Sequence, residues 1–354
     1  MRRWHFRATV NSTETVDLGL MFSFRNPAQW RRPFAEVYAD ELTLIRQAEE
    51  LGFDTIWLTE HHFADDGYSP SVVTIAAAIA AVTERVRIGF NLLLLPLHNA
   101  IRVAEDVATL DVLSNGRIDV GLGQGYATHE FNGYGIDRSE RRSRFVEGLD
   151  VLQGLWGQDT FSYEGKHYRI DGARLVPKPV QEPMPLWIGA SSEGGVRRAG
   201  RRGANLLGLT SSHLQKVYDE ARAGAGFGVD AAKVLQLHWA HLTRSADDAW
   251  EQAAPHFHHL LSVYAQWAND SGDSDKGGPK TVIPPVEELR DPGRRLMFAP
   301  VFGDPEHAAS TLMASIERVR TTHLALGVLP GMDPTATLTS MQLLASDVAP
   351  RLRS

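Results

Sequence analysis

The chain is 354 residues long, 43% hydrophobic and 22% charged, a globular composition with enough apolar material for one large α/β domain. Its formal net charge is −7, and no long run of Lys or Arg marks a nucleic-acid surface. It has no cysteine, which excludes disulfides, thiolate metal sites and a cysteine nucleophile, and which fits a cytoplasmic location.

Residues 1–15 carry Arg2, Arg3 and Arg7 with no apolar core after them, so a flexible N-terminal extension is expected there rather than a secretory signal. Residues 16–22 read as a first strand. The spacing of Leu42, Ile45 and Ala48 predicts a helix over 34–51, closed by Gly52. Residues 55–58 form a second strand and 71–83 an Ala-rich helix started by Pro70 and Ser71. A third strand is expected over 86–95, stopped by Pro96. A helix over 100–113 leaves through the turn Ser114-Asn115-Gly116, and 117–122 is a fourth strand. After a helix over 138–156, residues 159–185 are rich in Gly, Pro and single aromatics and read as an excursion. The fifth strand is 186–190, followed by a helix that begins near Val196 and runs to Arg202. Residues 205–208 and 234–242 are the sixth and seventh strands, and 246–265 is a helix. The polar stretch 269–291, dense in Gly, Pro, Asp and Lys, reads as the core of a mobile insertion spanning about 266–295. A helix over 305–319, a strand over 323–328 and a helix over 335–349 close the chain.

Eight strand–helix units predict a (β/α)8 barrel, one domain from 16 to 354, with insertions after strands four and seven. A doubly wound open sheet has the same alternation, and periodicity does not separate the two. The longest apolar run, 88–97, is broken by Asn91 and is too short to cross a bilayer, so no membrane partner is expected.

The candidate chemistry gathers at strand ends, where α/β barrels build their sites. The second strand stops at Glu60-His61-His62-Phe63. The third carries Asn91 inside an apolar run. The fourth enters Gly121-Leu122-Gly123-Gln124-Gly125-Tyr126, which fails the spacing of a dinucleotide fingerprint and reads as a crowded end where a flat ligand or a backbone needs room. The fifth enters Ala190-Ser191-Ser192-Glu193-Gly194-Gly195 ahead of a helix, an arrangement that suits a phosphate. The same residues also make an ordinary capped helix start, and spacing leaves both readings open. Arg144, in the helix after strand four, can reach a phosphate or simply face solvent. His61 is a candidate general base. His61 and His62 point to opposite sides of an extended backbone, so no shared metal is expected of them, and no metal site is expected elsewhere. His256, His258 and His259 read as an interface or surface group, and Trp30, Phe63, Tyr126 and Trp239 as possible walls of an apolar pocket.

The stretches 52–63, 102–117 and, more weakly, 346–350 resemble the luciferase-like flavin-dependent monooxygenases, in outline the luciferase α subunit, with the likeness running from about Asp17 to the C-terminus. The resemblance implies a (β/α)8 barrel with an insertion after strand four and a mobile loop after strand seven. It implies reduced flavin mononucleotide (FMN) delivered by a separate NAD(P)H-dependent reductase, O2 as co-substrate, and oxidation of a small organic molecule through a C4a-peroxyflavin. It places His61 at the flavin's reactive edge, with Glu60 beside it as a catalytic partner. Asn91 and Leu92 match a pair whose peptide lies beside the ring and is often cis. Gln124, Gly125, Tyr126 and Glu130 follow strand four at cofactor-binding positions, and Arg144, Ala190, Ser191, Ser192, Gly194 and Gly195 match the phosphate region. Gln124 stands where luciferase has an arginine, Gly123 where it has a reactive cysteine, and Asn99 where the family usually has proline. Light emission is therefore not expected. A dehydrogenase using the deazaflavin F420 and a non-catalytic flavin-binding subunit are the alternatives, and the family's habit is a homodimer packed through early helices.

Overall fold

A computed structural model describes residues 15–209, 211–271, 280–291, 296 and 298–353. Residues 1–14 of the expected extension and part of the expected insertion, 272–279 and 292–295, lie outside the described residues.

The elements follow in chain order. The first half holds β1 (Asp17–Phe22), α1 (Phe34–Glu50), β2 (Thr55–Leu58), α2 (Val72–Val82), β3 (Arg87–Phe90), β4 (Leu93–Leu94), α3 (Ala100–Leu113), β5 (Ile118–Gly123), α4 (Thr128–Gly133) and α5 (Arg141–Gly157). A two-stranded antiparallel hairpin, β6 (Phe161–Glu164) and β7 (Arg169–Ala173), fills the excursion after the fourth barrel strand. Then come β8 (Leu186–Gly189), α6 (Glu193–Arg201), β9 (Asn205–Leu207), α7 (Ser212–Gly224), β10 (Val234–Leu242), α8 (Ala246–Asp270), β11 (Pro300–Gly303), α9 (Pro305–Arg318) and β12 (His323–Gly327). The end is α10 (Pro334–Leu343), a π turn (Leu344–Val348) and α11 (Ala349–Leu352).

The strands run β12-β1-β2-β3-β5-β8-β9 and close through parallel pairing of β9 and β12 with β10. β4 and β11 hang on β5 and β10 as short parallel additions. The result is a closed eight-stranded parallel barrel ringed by helices. The (β/α)8 expectation holds, and the open sheet is excluded by the β9–β10 closure.

Large and small residues interlock inside it. Trp57, Trp187 and Trp239 are buried in the barrel, and Trp57 meets Trp187 edge-on at 5.4 Å between centroids. Glycines make the room: a Cβ on Gly89 would lie 2.3 Å from the Trp57 ring, and one on Gly327 2.4 Å from Trp239. Such alternation is how a small barrel fills its lumen. Trp239 is therefore core and not a pocket wall. Phe63, another of the four expected walls, is 61% exposed.

Three boundaries differ from expectation. The third strand breaks at Asn91 into β3 and β4, because apolar residues on both sides of the amide hide the break from periodicity. The helix after strand five starts at Glu193, so Gly194 and Gly195 lie in its first turn. The helix after strand seven runs on to Asp270, five residues into the expected insertion. Asn99, at the family's proline position, caps α3 by accepting the N–H groups of Ile101 and Arg102. α7 was not expected at all.

The floor of the barrel holds an uncommon pair. Asp17 accepts the Thr55 hydroxyl at 2.9 Å and lies 3.7 Å from His323 Nε2. Burial, helped by repulsion from Asp54 and Asp119, pushes Asp17 up to about 7, and burial pushes His323 down to about 4. The folded Asp17 keeps a proton that the unfolded chain releases near pH 4, so its contribution to stability falls as pH rises from about 4 to 7. Asp17→Asn is therefore expected to raise the melting temperature over wild type at pH 8 and to change it little at pH 4.5. Equal shifts at both pH values would sink this reading.

Candidate active site

Two buried carboxylates divide the adjacent imidazoles at the end of β2. Both histidines lie just past β2, and each imidazole meets its own acid. His61 Nδ1 lies 2.8 Å from Glu130 Oε1, which also accepts the His62 backbone N–H at 2.9 Å. Glu130 comes from α4 and is fully buried, and its Oε2 has no partner. His62 Nε2 and His98 Nε2 both lie 2.6 Å from Glu60 Oε1, while Leu94 N–H donates to Glu60 Oε2 at 2.7 Å. Burial opposes the charge on Glu60, yet the hydrogen bonds from His62 and His98 hold its pKa down at about 2. Burial also opposes the charge on His98, and Glu60 lifts its pKa above the ordinary imidazole value. Tyr134 O–H lies 3.1 Å from His62 Nδ1, the side away from Glu60.

Aromatic rings enclose His61. Trp267 lies 4.5 Å from it between centroids, Tyr68 4.8 Å, Tyr264 5.8 Å and Tyr126 6.0 Å. Tyr264 and Trp267 stand three residues apart on α8, so they share one face of that helix. The Tyr68 and Tyr264 hydroxyls meet at 2.5 Å, and Ser271, which ends α8, accepts the Thr128 N–H. His61 is left only 7% exposed. Behind Tyr68 the Arg25 guanidinium sits 4.3 Å from the ring centroid and pairs with Asp66 at 2.7 Å, with His259 joining Asp66 at 3.1 Å. His256 stacks on Trp30 and bonds the Pro330 carbonyl. His256 and His259 are thus built into the barrel mouth and are not a surface group.

The Asn91–Leu92 peptide is cis. Leu92 reaches across the barrel mouth: a Cβ on Gly123 would fall 2.5 Å from it and one on Gly189 2.7 Å. The room that these strand-end glycines provide is taken by this side chain, not left as an open gap. A Cβ on Gly121 would strike the Phe90 carbonyl oxygen at 1.7 Å, so that glycine serves the approach of β5 to β3.

Residues 16–323 match the luciferase-like monooxygenases. The chain belongs to that family. Among its relatives is an F420-dependent glucose-6-phosphate dehydrogenase of Kineococcus radiotolerans, 28% identical over 87% of this chain and 91% of that one. Another is the oxygenase component of a flavin-dependent trigonelline monooxygenase of Acinetobacter baylyi, 23% identical over 68% and 69%. A monooxygenase of Streptomyces bottropensis has the same fold, with a TM-score of 0.81 and 24% identity over 94% of this chain and 99% of that one. The protein is an oxidoreductase of the luciferase-like type.

In this luciferase-like barrel the phosphate candidates divide. Ser192 caps α6, its hydroxyl accepting the Gly195 N–H at 3.3 Å. Ser191 and Gly194 are exposed, and a Cβ on Gly194 would meet nothing within 4 Å. Glu193 and Gly194, which open α6, are exposed, and the first N–H groups of a helix have no partner within it. The Glu193 carboxylate beside them is held by His213 at 2.7 Å. The Arg144 guanidinium pairs with Glu140 at 3.1 Å. Gln124 is partly exposed and Gly125 takes φ +69 against Phe131. Ala190 N–H bonds the Leu207 carbonyl at 3.5 Å. Sequence reasoning missed Tyr68, Tyr264, Trp267, His98 and the Arg25–Asp66 pair. The spacing of Tyr264 and Trp267 on one helix face was the only available signal.

If the end of α8 is what covers His61, Trp267→Ala will speed carbethoxylation of His61 by diethyl pyrocarbonate at least several-fold, read by peptide mass spectrometry. An unchanged rate would place the cover elsewhere.

Proposed function

We propose that this protein is the oxygenase of a two-component system, using reduced FMN from a separate reductase and O2 to oxidise a small organic molecule. One observation carries the reading: the His61 imidazole, backed by a buried carboxylate, is sealed under Trp267 and Tyr264. Oxygen transfer requires that water be kept from the reacting centre, and this closure provides it.

The residues fit a flavin. The exposed N–H groups at the start of α6, with the Ser191 and Ser192 hydroxyls, would hold a phosphate. Asn91 and Leu92 would flank the ring, and the orphaned Glu130 Oε2 is an acceptor for an N–H or O–H donor. Reduced flavin supplies the two electrons that split O2, one oxygen atom going to the substrate and the other to water. The chain's own part is positional and acid–base. With Nδ1–H donated to Glu130, neutral His61 carries its lone pair on Nε2. Nε2 can then receive a proton from the reacting group and return it. Glu60 acts on His62 and His98 rather than on His61, so its contribution is to fix the strand end.

The F420-dependent dehydrogenase remains the second reading, favoured by the 28% identical relative and by the neutral Gln124 with Arg144 engaged elsewhere.

Two measurements test the proposal. Mixing the protein with photoreduced FMN and O2 in a stopped-flow instrument should give an oxidation course with a transient that free reduced FMN lacks. A course identical to free flavin, together with tight binding of F420, would move the protein to the second reading. Replacing His61 by Ala, or Glu130 by Gln, should lower turnover roughly 10²–10⁴-fold while FMN affinity changes little. An equal loss in both would make the pair structural.

A further inference from the structure

Glu60, His62 and His98 are the one group among the described residues whose His, Cys, Asp or Glu ligand atoms lie close enough to share an ion, all within 4.8 Å of one another. We propose that they form a divalent-cation site, best suited to Zn2+, at the ends of β2 and β4. It is separate from the His61–Glu130 pair and does not depend on which flavin the protein uses.

Four features point the same way. The donor set, two imidazoles and one carboxylate, is the set Zn2+ takes where one coordination position stays open. Both imidazoles turn the same nitrogen, Nε2, to the same oxygen, Glu60 Oε1. The outer atoms have partners: Tyr134 Oη stands 3.1 Å from His62 Nδ1, placed to accept its N–H when Nε2 holds an ion, and Leu94 N–H donates to Glu60 Oε2 at 2.7 Å. Outer partners of this kind orient metal ligands and fix the imidazole tautomer. Finally, the Glu60 side chain is wholly buried and that of His62 nearly so, while the His98 side chain is 28% exposed. An ion bound here would take the place of the imidazole protons that now face the buried Glu60 anion, and His98 leaves the approach from solvent open for the ion and a bound water.

The present contacts of 2.6 Å are hydrogen-bond distances. Ligand atoms about 2.1 Å from a tetrahedral ion stand roughly 3.4 Å apart, so binding requires each contact to open by about 0.8 Å. Rotation of the part-exposed His98 opens its own contact, and the contact between His62 and Glu60 opens by a shift of the Glu60 carboxylate.

The sequence hides this site because His98 is 38 residues from Glu60. Adjacent His61 and His62 draw attention as a pair, yet only His62 belongs to it.

The test starts from full-length protein stripped with a chelator and dialysed. Titration with ZnCl2 should load one equivalent, measured by plasma mass spectrometry after gel filtration, and should raise the melting temperature. Co2+ in its place should give the intense visible bands of a four-coordinate site. His98→Ala, checked for folding by circular dichroism, should bind at least tenfold more weakly and lose the Co2+ bands. Should that variant not fold, His98→Gln serves in its place. No retained metal in wild type, weak six-coordinate Co2+ bands, or binding unchanged in the His98 variant would each overturn the proposal, the last by assigning the ion to surface imidazoles such as His213.

Discussion

Each of the two adjacent imidazoles past β2 is held by its own buried carboxylate, and that division organises this site. His61 and His62 lie three and four residues past Leu58, the end of β2. Glu130 from α4 takes His61, and Glu60 takes His62 and His98. Glu130 Oε1 also holds the His62 backbone N–H, which pins the chain between the two rings. Removing either acid would leave a buried imidazole without its partner, a cost of about 1–3 kcal/mol before any effect on chemistry. The two carboxylates therefore fix the geometry that any bound cofactor meets.

The second structural commitment is the length of α8. It leaves β10 on the far side of the barrel and runs 25 residues from Ala246 to Asp270, about 37 Å at helical rise. That reach brings Tyr264 and Trp267 over His61 and Ser271 against Thr128. The helix also carries His256 and His259 to Trp30 and Asp66 on the way. One element thus joins the loops after β1, β2 and β5 into a single cover. Its packing is aromatic along most of this path, and offset and edge-on ring pairs add to the burial of their area.

How much of this was legible in the sequence depends on the distance over which the relevant contact acts. The run from Thr55 to Leu58 reads as a strand because both its faces are buried, one on helices and one on the barrel lumen. The stretch from Arg102 to Arg117 reads as family-like for reasons that are structural. Buried Asp111 accepts the N–H groups of Val180 and Gln181, and Arg117 bonds the carbonyls of Ala80, Thr83 and Val86. The break at Asn91 was illegible, since apolar residues continue past it. The partners of His61 could not be read from pattern either. Glu130 is 69 residues away and Trp267 lies on another helix, and the residues between carry no periodic signal of that proximity. Glu130 entered only through resemblance.

The phosphate region shows where resemblance stops being a guide. An arginine pair in the luciferase manner would hold the anion by charge and by a bidentate fork. Here Gln124 carries no charge and Arg144 spends its guanidinium on Glu140. In the proposed reading the phosphate donors are backbone N–H groups and hydroxyls at the start of α6, flanked by the Glu193 carboxylate, which an anion must tolerate. Each neutral hydrogen bond contributes about 1 kcal/mol net, against roughly 1.5–3 for a charged donor. A cofactor held this way takes a larger share of its affinity from the ring end, where Leu92 and the aromatic cover lie.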